Sequence, residues 1–99
     1  MLRGKQKRQL RALAHHLSPI FQIGKSGITL DMVKGISDAL EKRELLKVSI
    51  LQNCEEDKDE LATTLSKRTN SELVQLIGHT IVLYKQSSQL KYRKIELVK

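Results

Sequence analysis

The segment Gly24-Lys25-Ser26-Gly27 holds the residues whose types and spacing could do chemistry. It follows the β-forming run Ile20-Phe21-Gln22-Ile23 and precedes Thr29, a residue suited to cap a helix. Glycines without a Cβ let the backbone approach a phosphate closely. The first-turn amides and the dipole of the following helix favour an anion at the same place. Lys25 adds a mobile positive charge and Ser26 a hydroxyl donor. The chemistry this implies is capture of a phosphate. Nucleotide hydrolysis is not implied, because a Walker A loop needs a glycine five residues before Gly24 and position 19 is Pro19.

Other reactive side chains form no constellation. No Ser/His/Asp or Cys/His set is suggested by local sequence, and His15 and His16 point about 100° apart on one helix, which prevents joint chelation. His79 falls in a turn. Cys54 sits at an expected helix start among acids that disfavour its thiolate. The acids Glu55, Glu56, Asp57, Asp59 and Glu60 suit the positive end of that helix, and Lys67 and Arg68 suit its negative end, so the cluster reads as structural. The expectation is a binding protein and not an enzyme, with no cofactor, metal or small-molecule substrate.

Charge points to the partner. The chain carries a net charge of +7, and the charge is sorted along it. Residues 1–30 hold Arg3, Lys5, Lys7, Arg8, Arg11 and Lys25 and no acid, while residues 31–72 hold ten of the eleven acids. Residues 73–99 are basic again, with Glu96 the lone acid. A field with a direction steers a polyanion to one side of a molecule. Aromatics set the mode of recognition: Phe21, Tyr84 and Tyr92 are too few to stack bases across a sheet. Contacts should therefore go mainly to phosphate and sugar, which suits structured RNA.

The elements that must position these groups follow from periodicity. Residues 4–17 read as a helix, with Leu10, Leu13, Ala14 and Leu17 as its apolar stripe and Lys5, Arg8, Arg11 and His15 on the opposite side. A second helix should begin after Thr29, with Leu30, Val33, Ile36 and Leu40 toward the core. Leu46, Val48 and Ile50 alternate as a strand, and Asn53 with Glu56 suggests a third helix start. Strands over 73–77 and 80–84 flank Gly78-His79, a pair suited to a type II′ hairpin turn. The predicted fold is α/β, a two-layer sandwich in the order α-β-α-β-α-β-β on a four-stranded mixed sheet. Residues 1–86 form a single domain, and residues 87–99 a basic C-terminal extension.

An unpaired cysteine fits a reducing compartment, and no apolar run approaches the roughly 20 residues that span a bilayer, so a cytoplasmic location is expected. The Arg-rich N-terminus also has the amphipathic look of a presequence, but it lacks a hydroxyl residue before Ser18 and its apolar stripe is suited to packing.

The run from Gln9 through Arg11, His15 and His16 to Pro19, followed by Ile23-Gly24-Lys25-Ser26-Gly27-Ile28-Thr29, resembles the start of a CRM domain. Leu45-Leu46-Lys47-Val48 and the segment from Gln75 through Gly78 and His79 to Tyr84 are similar to later segments of the same family. More particularly, the chain resembles the family's bacterial stand-alone YhbY-type members, over about residues 4–86. The resemblance implies a fold similar to the C-terminal domain of the third bacterial translation initiation factor. It also implies RNA binding through the Gly24–Gly27 loop and neighbouring basic residues, and a role on precursors of the large ribosomal subunit. The RNA-binding residues expected from both lines of reasoning are Gly24, Lys25, Ser26, Gly27, Lys5, Arg8, Arg11 and His15. An alternative use of the basic first helix is as an adaptor on an acidic protein or a membrane surface.

Overall fold

The computed structural model describes residues 2–99. Its elements are α1 (Gly4–Ala14), β1 (Phe21–Ile23), α2 (Leu30–Arg43), β2 (Leu45–Ile50), α3 (Lys58–Arg68), β3 (Glu72–Ile77) and β4 (Thr80–Tyr84), with a 3₁₀ turn at Leu90–Tyr92. The predicted order of three helices and four strands is therefore present. The sheet runs β1-β2-β4-β3, with β1 parallel to β2 and both other pairings antiparallel. The connection through α3 skips one position, and β4 returns into the gap between β2 and β3. In the hairpin turn Gly78 takes φ 58° while His79 does not take a positive φ, as a type II′ turn requires.

Period-two alternation divides the strands between two cores. Leu46, Val48, Ile50, Ile81 and Leu83 face Ile36 and Leu40 of α2 and Leu61, Ala62 and Leu65 of α3. This is the expected sandwich of helices on sheet. Leu45, Val82 and Tyr84 point the other way, where Leu10 and Ala14 of α1 cover part of the second face together with Val74, Ile95 and Leu97. Burying Leu10 completely contributes about 2 kcal/mol to holding α1 down.

Three local expectations are corrected. The first helix ends at Ala14 instead of continuing to residue 17, because the chain must reach β1, where the Ile20 amide donates to the Lys47 carbonyl at 3.1 Å. Leu13 and Leu17 consequently remain 44% and 38% exposed. On α2, Thr29 caps as expected by accepting from the Met32 amide at 3.2 Å, but Leu30 is exposed. It lies about 120° around the axis from Ile36, so Met32 and Ala39 complete the packed face instead. The third helix starts at Lys58, with Asp57 as its cap accepting from the Asp59 amide, while Asn53 and Cys54 stay in the preceding turn.

The residues after β4 fold back onto the domain. Glu44, fully buried and at φ 65°, receives the amides of Ser87 at 2.8 Å, Lys94 at 2.8 Å and Ile95 at 3.2 Å on its carboxylate. Its carbonyl accepts from the Lys85 amide at 2.8 Å. Glu41, one turn earlier, accepts from Ser87 and Ser88. Gln6 and Gln9 of α1 bond the backbone of Val98 and Glu96. Burial raises the Tyr84 phenol above its ordinary range, and the nearby Glu44 charge adds to the shift, with Arg93 opposing it.

Candidate nucleic-acid interface

The Gly-x-x-Gly segment is a four-residue turn closed by the Gly27 amide on the Gly24 carbonyl at 3.0 Å. Lys25 and Ser26 are exposed at its tip. Neither has a positive φ, and glycine is favoured at the fourth position of such a turn. Because the Gly27 amide is used inside the turn, the Lys25 and Ser26 amides are the donors an incoming phosphate would meet.

The two glycines have different reasons. Gly27 is buried at φ 69°, and a Cβ there would run into the Glu56 carboxylate. Its positive φ gives glycine an internal reason at this position, beside any close approach of a phosphate. A Cβ at Gly24 would meet Asn53 Oδ1 and Leu51 Cδ1 at 3.6 Å, which is ordinary contact. The fold itself does not demand glycine at position 24, which leaves that position open to close approach from outside.

The two flanks of the turn differ in charge. Toward α3, Ser26 and Ile28 share a cleft with Glu56, Glu60, Leu61, Thr64 and Arg68, where two carboxylates repel a polyanion. Toward β1, Gln22 pairs with Ser49 across the strands. Ser49 and Lys47 occupy alternate positions of β2 on the face opposite the α2–α3 core, and Lys47 lines a cleft with Arg11 and His15 of α1. A polar and basic strip thus runs from α1 across the open half of the sheet to the turn. The opposite flank of α1, with Gln6 and Gln9, is engaged by the returning chain.

The CRS1 / YhbY (CRM) domain model matches residues 2–85. The chain belongs to the CRM family. Among relatives of this CRM domain, the "Probable RNA-binding protein YqeI" of Bacillus subtilis is 62% identical over 97 residues, covering 98% of this chain and 99% of its own. An "RNA-binding protein" of Haemophilus influenzae is 38% identical and covers 88% of each chain. A solution structure of a hypothetical Staphylococcus aureus protein, for which RNA binding is suggested, matches with a TM-score of 0.82 at 59% identity, over 99% of this chain and 100% of that one.

Within this CRM domain the expected site residues fall into three groups. Gly24, Lys25, Ser26 and Gly27 form the turn, and Arg11 and His15 border the sheet face that leads to it. Lys5 and Arg8 are exposed on α1 but lie about 15 and 10 Å before His15 along the axis, away from that border. The sequence reading missed Lys47, Ser49, Gln22 and Gln75. Their signal was present in the strand alternation, which turns Lys47 and Ser49 away from the apolar core. Without the sheet order it does not say which helix they meet. Among the described residues no group of three or more His, Cys, Asp or Glu side chains could hold a metal ion, and no helix is long and apolar enough to cross a membrane.

Proposed function

We propose that this chain binds structured RNA, most specifically ribosomal RNA in precursors of the large ribosomal subunit, through the Gly24–Gly27 turn and the basic flank of α1, in the cytoplasm and without catalysing a reaction. The observation that carries the reading is the segregation of charge around the turn. Arg11, His15 and Lys47 stand toward one side and Glu56 and Glu60 toward the other, with Lys25 exposed at the tip of the turn. RNA as the partner is supported by family membership and by the names of the relatives. The ribosomal target rests on the resemblance to the bacterial YhbY-type members.

The test is salt-dependent binding of a folded fragment of large-subunit ribosomal RNA, with poly-U as the comparison. Neutralising Arg8, Arg11 and Lys25 together should flatten the dependence of log affinity on log salt by about two to three counterions' worth. An unchanged slope would show that RNA binds elsewhere, and equal affinity for poly-U would remove the shape-reading element. Against the adaptor reading, Leu10 and Ala14 are committed to the sheet, which leaves only Leu13 and Leu17 of the stripe for a membrane or a partner. Flotation with anionic vesicles at the same salt tests that alternative directly.

A further inference from the structure

We propose that the cleft between the C-terminal end of α1 and the sheet holds one unpaired guanine base. The proposal rests on the reading of this face as an RNA-binding surface and adds a specific readout to it. Lys47, Val82 and Gln75 form a single row across three strands, because Lys47 and Gln75 each pair directly with Val82. Directly paired residues on neighbouring strands share a face. With strands about 4.8 Å apart, the two polar residues stand roughly 10 Å from one another, with an aliphatic residue between them. That separation suits two groups that reach opposite edges of one purine from either side.

Gln75 owes its position to an irregularity. The β3–β4 register shifts between Leu73 and Gln75, so Val74 packs beneath α1 and Gln75 still comes opposite Val82. A bulge of this kind re-aims a side chain at a functional surface. Arg11, Ala14 and His15 of α1 wall the same cleft, which has a volume of about 280 Å³. Ala14 and Val82 close the bottom of the cleft and are almost completely buried, so the apolar surface within reach of a ring is that of Ile77, which is 59% exposed.

The polar groups select the base. The Arg11 guanidinium and the Lys47 ammonium only donate hydrogen bonds. Guanine offers two acceptors, O6 and N7, along one edge, and arginine and lysine bind that edge in duplex grooves. Adenine would place its N6 amino donors against the same cations. The Gln75 amide oxygen can accept from guanine N1–H or N2–H, which a phosphate cannot supply. Among the described residues no acid lines the cleft. Ile77 takes one face of the ring, while Arg11 and Lys47 hold its edge. One base can be held in this way without the aromatic platform that the chain lacks.

The experiment is a titration of the full ¹⁵N-labelled chain with 5′-GMP, 5′-CMP and inorganic phosphate at equal concentration and ionic strength. Wild-type binding to a folded ribosomal RNA fragment is measured on the same preparation. GMP should move the backbone amides of Ala14, Gln75 and Val82 at least threefold further than CMP or phosphate does. Gln75→Leu, of similar size, should remove that difference, and Lys47→Met, which keeps its alkyl stem, provides a second variant should the first fail to fold. Equal shifts with GMP and phosphate overturn the pocket while folded RNA still binds, leaving a phosphate contact on an RNA-binding face. If folded RNA also fails to bind, the reading of the face falls with it.

Discussion

The Glu56 carboxylate stands in the space that a side chain on Gly27 would need. That carboxylate is the far end of an exposed, flexible side chain that can swing aside, so the glycine at the end of the turn is favoured chiefly by its own φ of 69°, before any ligand is considered. Gly27→Ala is expected to destabilise the fold by about 1–2 kcal/mol from the backbone conformation, with little added by the displaced carboxylate. Shortening the neighbour in Gly27→Ala/Glu56→Ala should therefore restore little of the loss. Urea unfolding of the two single variants and the double variant measures both parts, and a fully stable Gly27→Ala would contradict the assignment.

Gly24 should behave in the opposite way. A methyl group there meets only ordinary contacts, so Gly24→Ala should melt within about 0.5 kcal/mol of wild type. If a phosphate comes close to the turn at this position, the same variant should bind structured RNA about tenfold more weakly, or about 1.4 kcal/mol. Filter binding and thermal melting on one preparation separate the two effects. Unchanged affinity would mean that the turn presents Lys25 and Ser26 without a close backbone contact.

Much of this arrangement was legible in the sequence. Alternation gave the strands, and the segment Ile23–Thr29 showed a strand, a turn and a capped helix in order. Glu56 was read as a partner of its own helix dipole, and nothing in its spacing shows that it reaches Gly27, 29 positions earlier in the chain. Leu30 fitted an i, i+3 apolar pattern, yet the packed face rotates away from it toward Met32 and Ala39. Asn53 and Asp57 are equally good caps by residue type. The turn closed by the Cys54 amide on the Leu51 carbonyl decides between them, and that bond depends on where β2 ends.

Glu44 had no sequence signal beyond its place between a helix and a strand, and it carries a strong prediction. Glu44→Ala removes the acceptor of three amides at a fully buried site. Unsatisfied buried donors are costly, so a loss of about 3 kcal/mol or more is expected. Hydrogen exchange should report faster opening at Ser87, Lys94 and Ile95 than across β2 and β4. Retention of wild-type exchange at those three amides would refute the anchoring role.

Glu41 supplies a pH dependence. Its carboxyl is held below the ordinary glutamate range, first by the Ser88 amide, then by the Ser88 hydroxyl, with Ser87 and Lys85 adding to the effect against some burial. The folded state thus binds this proton more weakly than the unfolded chain does. The resulting stabilisation is complete above the unfolded value of about 4.3 and is lost as pH falls through the lower folded value. Urea midpoints measured from pH 6 downward should fall more steeply for wild type than for Glu41→Gln, and parallel curves would exclude the contribution.

The hydrogen bonds of Gln6 and Gln9 to Val98 and Glu96 span 92, 87 and 89 positions of chain. During synthesis the helix that carries Arg8 and Arg11 emerges long before the backbone that fastens its flank. Its apolar residues must also wait for Val74, Val82 and Tyr84 to form the surface beneath them. A nascent chain therefore displays its most cationic segment before it has a folded site to go with it. Only once residues 96–98 have emerged can loose attraction to polyanions give way to a shaped surface.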